Sequence, residues 1–185
     1  GTGAAGIGSG GGNGSCNSIA ISGGEVTATE GTDGAGIGSG LDGHCGSITI
    51  SGGTVHAHLT SGSGAAIGSG RNGSYDSITI SGGSVLATGY EGGAGIGSGL
   101  GGDSSFGPIV ISGGEVTVKG GKYAAAIGKG WDDQGRDLSI TLSSCKIWIP
   151  ALKGVNGFDA DVITPALDDP SAWAAANVII ELTGE

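Results

Sequence analysis

The chain of 185 residues is long enough for one domain with a real core, and its formal net charge of −10 disfavours nucleic acid and anionic lipid as partners. Its 45 glycines and 4 prolines would mark a linker if they lacked a period, but glycine recurs at fixed offsets from isoleucine, which excludes a flexible tether. No apolar run approaches the roughly 18 residues that cross a bilayer, and three cysteines without CxxC spacing are too few for a disulfide scaffold.

The first predicted segment of each copy is "GIGSG" or a close variant, centred on Ile7, Ile37, Ile67, Ile96 and Ile127, at spacings of 30, 30, 29 and 31 residues. The opening "GTGAAGIGSG" enters this segment directly, with no basic-then-apolar leader, and the chain is expected to be a piece of something longer. A second segment, "SIxIS", follows with Ile19 and Ile21, Ile48 and Ile50, Ile78 and Ile80, Ile109 and Ile111, and Ile140 and Leu142. A third lies beyond the SGG step, at Val26, Val55, Val85, Val116 and Ile147. Alternation with period two predicts strands, and three strands in about 30 residues leave no room for a helix.

The predicted fold is therefore all-β, a right-handed parallel β-helix of about five coils stacked roughly 4.8 Å apart. The aliphatic residues are expected to form inward ladders. If Ile7 and its equivalents face in, then Gly6 and Gly8, Gly36 and Gly38, Ala66 and Gly68, Gly95 and Gly97, and Ala126 and Gly128 are expected to face out as a wall of nearly bare backbone. Such a wall reads as a packing surface for another domain or as a platform for an extended polysaccharide. Asn13, Asp42, Asn72, Asp103 and Gln134, all but one followed by glycine, read as a corner ladder that accepts positive φ.

After Ile140 the consensus fails, with Ser143-Ser144-Cys145 in place of SGG and then Lys146-Ile147-Trp148-Ile149-Pro150. Asp169-Pro170-Ser171 predicts a helix start, "SAWAAAN" a short helix and "NVIIEL" a last strand. The domain reading is β-helix repeats over 1–149 and a C-terminal cap over 150–185, with Trp148, Phe158 and Trp173 as its apolar filling.

Candidate sites are sparse. His56 and His58 share a strand face and His44 lies in the same coil, but the positions above and below His56 and His58 are Thr or Leu, so no metal site is assigned. Cys16 and Cys45 sit at one offset in adjacent coils, followed there by Tyr75 and Phe106, which reads either as an apolar corner ladder or as a disulfide. Loop carboxylates Asp33, Asp42, Asp76, Asp103, Asp132 and Asp133 make calcium the one ion to consider, although the nine-residue calcium signature is absent; no other cofactor is implied. Arg71 and Arg136 lie two coils apart with no clustered carboxylates, so no catalytic set is assigned and the chain reads as a non-enzyme. The "NGS" at Asn13 and Asn72 matches a glycosylation acceptor, but the turn ladder explains both. Tyr90 and Tyr123 fall in the same inter-strand connection one coil apart, with Tyr75 and Trp131 on other loops; these four aromatics are the candidate ligand contacts, because aromatic faces stack on sugar rings.

The pattern "AGIGSG...SITISGGTVxA" over residues 1–149 resembles the β-helix repeats of large cell-surface proteins of gram-positive, often gut, bacteria. The resemblance implies surface display and adhesion or carbohydrate binding, with glycans, host or cell-surface proteins and neighbouring domains of a parent protein as partners, and it transfers no ligand-contact motif. Low charge, no Met and abundant Thr, Ser and Gly also suit an extracellular, cell-surface or secreted setting. Two classes of function remain open: a non-catalytic binding module and a structural spacer that displays other domains. A polysaccharide-degrading enzyme and an ice-binding wall rank behind them, the latter because Thr49, Thr79 and Thr141 are interrupted by Ala20 and Val110.

Overall fold

The computed structural model describes residues 2–29, 31–101, 105–132, 138–150 and 179–183. Each copy of the repeat makes one rung with three walls. The first wall comprises β1 (Ile7–Gly8), β4 (Ile37–Gly38), β7 (Ile67–Gly68), β9 (Ile96–Gly97) and β11 (Ile127–Gly128), stacked in that order. The second and third walls belong to one bent sheet containing β2 (Ser15–Ile21), β3 (Glu25–Ala28), β5 (His44–Ile50), β6 (Thr54–His58), β8 (Ser74–Thr88), β10 (Ile109–Lys119), β12 (Ile140–Leu142), β13 (Lys146–Pro150) and β14 (Ile179–Thr183). Every strand pairing in the two sheets is parallel, with the landmark isoleucines and valines directly above one another. The fold is the parallel β-solenoid the period predicts: five rungs joined by four full turns.

The strands alternate as a half-buried strand must. In β6, Val55 and Ala57 are buried while Thr54, His56 and His58 are exposed. Single rungs cannot exclude water, so the core is made by stacking: Ile48, Ile78 and Ile109 form one fully buried ladder and Ile50, Ile80 and Ile111 another. Ile7, Ile19 and Val26 of the first rung remain partly exposed, packed against the core from its end.

Between the second and third walls the chain turns at SGG, where Gly24, Gly53, Gly83 and Gly114 hold φ between +81° and +89°. The fifth rung departs from this corner: Ser144 takes the left-handed backbone at φ +48° and the Cys145 side chain is buried.

One expectation is overturned and a second holds in part. The glycine wall is buried rather than bare in every rung but the first, where Gly6 and Gly8 are exposed, because β1 and its equivalents are only two residues long and do not alternate like an ordinary strand. Ala66 and Ala126 belong to the core, and a Cβ at Gly36 would lie 3.5 Å from Ala57 Cβ. Gly38, Gly68 and Gly97 hold φ near +138°, and a Cβ on any of them would collide with the carbonyl of the glycine one rung up. The expected corner ladder holds at Asn13, Asp42 and Asn72, which all take positive φ, but the left-handed residues that recur at one offset follow the GIGSG landmark and not SIxI: Gly12, Asp42, Asn72, Gly101 and Asp132, joined where Asp42 N–H donates to the Arg71 carbonyl and Asn72 N–H to that of Leu100. Asp103 and Gln134, expected in it, lie outside the described residues. Trp148, expected as apolar filling of the cap, stands in register with Thr117 on the outward face and is half-buried, while Ile147 beside it is fully buried; residues 151–178, which make up most of that cap, lie outside the described residues. The expected helix at 171–177, Phe158 and Trp173 lie outside the described residues, and β14 pairs in parallel with β13.

Candidate functional site

Each rung brings two loops together at one corner, the connection from the third wall back to the first and the turn that follows GIGSG. Backbone bonds fix their contact. Arg71 N–H donates to the Asp33 carbonyl, Leu100 N–H to Ser63 and Trp131 N–H to Gly92. Glycine permits the approach: a Cβ at Gly92 would lie 2.8 Å from Leu100 Cδ1, and one at Gly121 would lie 2.7 Å from the Tyr90 carbonyl.

In the upper rungs this corner becomes aromatic. Tyr123 N–H donates to the Glu91 carbonyl, which sets one loop above the other. The Tyr123 and Trp131 rings then meet with centroids 5.4 Å apart at 39°, although eight positions separate them in sequence. Tyr90 is 41% exposed and Trp131 48%, among the few large apolar side chains open to solvent. Lys122 Nζ lies 4.8 Å from the Tyr123 ring centroid. Its hydrogen bond and charge interaction with Tyr123 hold the ammonium pKa above the usual lysine range, with a smaller contribution from Glu91. Glu91 itself has φ +45°, a conformation that costs a side-chain-bearing residue roughly 1 kcal/mol or more. The corner thus offers apolar ring faces flanked by one cation and one carboxylate.

Of the four candidate aromatics, Tyr123 and Trp131 are in ring contact, the Tyr90 backbone lies against the same loop one rung below, and Tyr75 is elsewhere. Tyr75 is 1% exposed; it stands directly above Cys45 in register and packs on Phe106 at 5.4 Å, so its face is spent in the core. Cys16 and Cys45 are joined as a disulfide with Cα atoms 4.8 Å apart, the rung spacing itself, and Tyr75 and Phe106 continue their column. Both readings of that column therefore hold.

The other polar candidates are engaged locally. His44 Nδ1 lies 3.0 Å from Ser74 Oγ and its Nε2 3.6 Å from Asp76. Arg71 pairs with Asp33 at 3.7 Å, and Asn72 Nδ2 donates to Asp42 at 3.1 Å. Among the described residues no three His, Cys, Asp or Glu side chains converge on a cation position. Asp103, Asp133 and Arg136 lie outside the described residues. One structural ladder escaped the sequence reading: the buried serines of GIGSG, Ser9, Ser39 and Ser69, accept N–H bonds from Gly40, Gly70 and Gly99 one rung up, at 2.9, 3.1 and 3.1 Å. The signal was present, since a serine flanked by glycines returns in four of the five copies.

Four stretches, 19–41, 48–71, 78–100 and 109–128, match the family model described as a beta helix repeat. Residues 19–128 are a parallel β-helix repeat region. The β-helix repeats thus begin at the second wall of one rung and end at the first wall of the next, consistent with a unit defined by stacking and not by a fixed start. No curated protein and no solved structure matches the chain.

Proposed function

We propose that this β-helix is a non-catalytic, extracellular binding module that holds carbohydrate at the corner formed by Tyr90, Tyr123 and Trp131. The observation that carries the reading is the gathering of exposed aromatic faces on one corner of a rigid scaffold. Apolar ring faces receive the C–H faces of sugar rings, and Lys122 and Glu91 supply a donor and an acceptor for hydroxyls at the rim. The Cys16–Cys45 disulfide supports an oxidising compartment, in keeping with display at a cell surface or secretion. Glycans on host or bacterial surfaces are the partners this chemistry suits. A binding corner of this kind also distinguishes the module from a spacer, in which aromatics have no reason to gather.

The test is binding of the purified chain to an array of host glycans and of plant and bacterial polysaccharides, with and without calcium. Binding that falls at least about tenfold in Tyr90→Ala and Trp131→Ala, with the melting temperature unchanged, is the expected result. Silence across the array, or binding indifferent to both substitutions, would transfer the reading to a spacer or a protein-binding adhesin.

A further inference from the structure

The outward face of the third wall carries a second feature. Its central column runs Thr27, His56, Leu86, Thr117, Trp148 in strict register, and the column beside it runs Glu25, Thr54, Ser84, Glu115, Lys146. At the upper end, Ser84, Glu115, Thr117 and Trp148 line an open groove of about 440 Å³. Glu115 Oε1 lies 3.5 Å from Lys146 Nζ, and Leu86 just below is 37% exposed.

We propose that this groove is a second sugar-binding site, selective for a neutral sugar residue. Trp148, raised outward by the alternation that buries Ile147, provides the apolar platform. The hydroxyls of Ser84 and Thr117 both donate and accept, which suits vicinal hydroxyls on a ring. Glu115, held by Lys146, offers the strong acceptor, and a carboxylate beside the platform disfavours an acidic sugar while it hydrogen-bonds a neutral one. The size also fits, since the volume lies within the range of small-ligand sites.

The groove is distinct from the aromatic corner but on the same run of chain. Ser84, Leu86 and Thr88 project from β8, and Tyr90 follows at the corner; six residues at about 3.3 Å each put the two sites roughly 20 Å apart. An extended chain of several sugar residues spans that distance and engages both, so the second contact is intramolecular and the combined affinity rises without any new interaction.

The chain has three tryptophans, Trp131, Trp148 and Trp173, which makes the two sites separately observable. The unaltered protein is labelled with 5-fluorotryptophan, its three fluorine signals are assigned by single Trp→Phe replacements, and each is followed while cellohexaose, xylohexaose, mannohexaose or maltohexaose is added to about 10 mM. The expected result is a saturating shift of the Trp148 signal with at least one neutral hexaose and none with oligogalacturonate, and an affinity for that hexaose at least about tenfold weaker in Glu115→Gln. A Trp148 signal that stays fixed with all four, or that shifts equally with Glu115→Gln, would overturn the groove. The Trp131 signal in the same spectra reports the corner, so failure of either site is read apart from failure of the other.

Discussion

The rungs built on Ile37 and Ile67 and those built on Ile96 and Ile127 have superimposable walls and different corners. In the first wall all four have fully buried isoleucines followed by glycines at φ between +135° and +138°. At the corner, the lower pair carries small polar residues and an Arg71–Asp33 ion pair, whereas the upper pair carries Tyr90, Tyr123 and Trp131. Wall positions are constrained from above and below by a neighbouring rung, so a change in one copy must fit two others. Corner side chains point to solvent from backbone that is already satisfied, and chemistry accumulates there at little cost to the fold.

That contrast makes the walls the place where substitutions should do most harm. Gly38→Ala is expected to cost about 4 kcal/mol, in the range reached only by severe core damage, because its Cβ has neither the φ nor the space it needs. Gly23→Ala, whose Cβ meets nothing within 4 Å, is the control and should stay within about 0.5 kcal/mol by urea denaturation. Equal losses in the two would dissolve the distinction between wall and corner.

The next largest effect concerns the end of the stack. Reduction of Cys16–Cys45, which closes a loop of sequence separation 29, should remove about 3.6 kcal/mol. Thiol counting checks the bond directly. Burial pushes the Cys145 thiol above its ordinary range, so the native chain should react with iodoacetamide slowly at pH 8, the unfolded chain at one thiol, and the reduced unfolded chain at three.

Ser69→Ala removes the acceptor for the buried Gly99 N–H and should cost about 1 to 2 kcal/mol; at Ser51, an exposed serine of the SGG step, the same change should cost less than half of that. The smallest change is a gain. Ser144 occupies φ +48°, so Ser144→Gly should raise stability by about 0.5 to 1 kcal/mol, measured as a higher urea midpoint at constant slope. A loss instead would show that the irregular fifth corner is held by its serine.

Much of the fold was legible because the ladders repeat their chemistry: period two gave the strands, and a spacing near 30 gave the rungs. The glycines of the first wall were misread for a physical reason. Alternation rules assume a regular pleat, and a two-residue strand with positive φ at its second position does not have one, so Gly36 and Gly38 are both enclosed. The outward register of Trp148 with Thr117 was not legible, because a large apolar residue near a repeat end reads as a cover whichever face it takes. At the candidate site, loop sequence brought Tyr90 and Tyr123 together, but the contact of Tyr123 with Trp131 depends on two loops meeting at a corner, which no linear pattern encodes. Tyr75 was separable from the others only through its column, where Cys45 and Phe106 marked an interior position.

The turn ladder has a consequence for how such a chain changes over time and how it is engineered. Eleven residues take the chain from Ile37 to Ile48 and from Ile67 to Ile78, but thirteen take it from Ile96 to Ile109, and the next wall still resumes with Ile109 above Ile78. Length variation is therefore absorbed between the left-handed residue and the second wall, and each doubling of such a loop costs only about 0.6 kcal/mol in closure entropy. The segment after Asp42 or Asn72 is accordingly a graft point, where a foreign peptide can be inserted into one storey of the building while the storeys above and below keep their alignment.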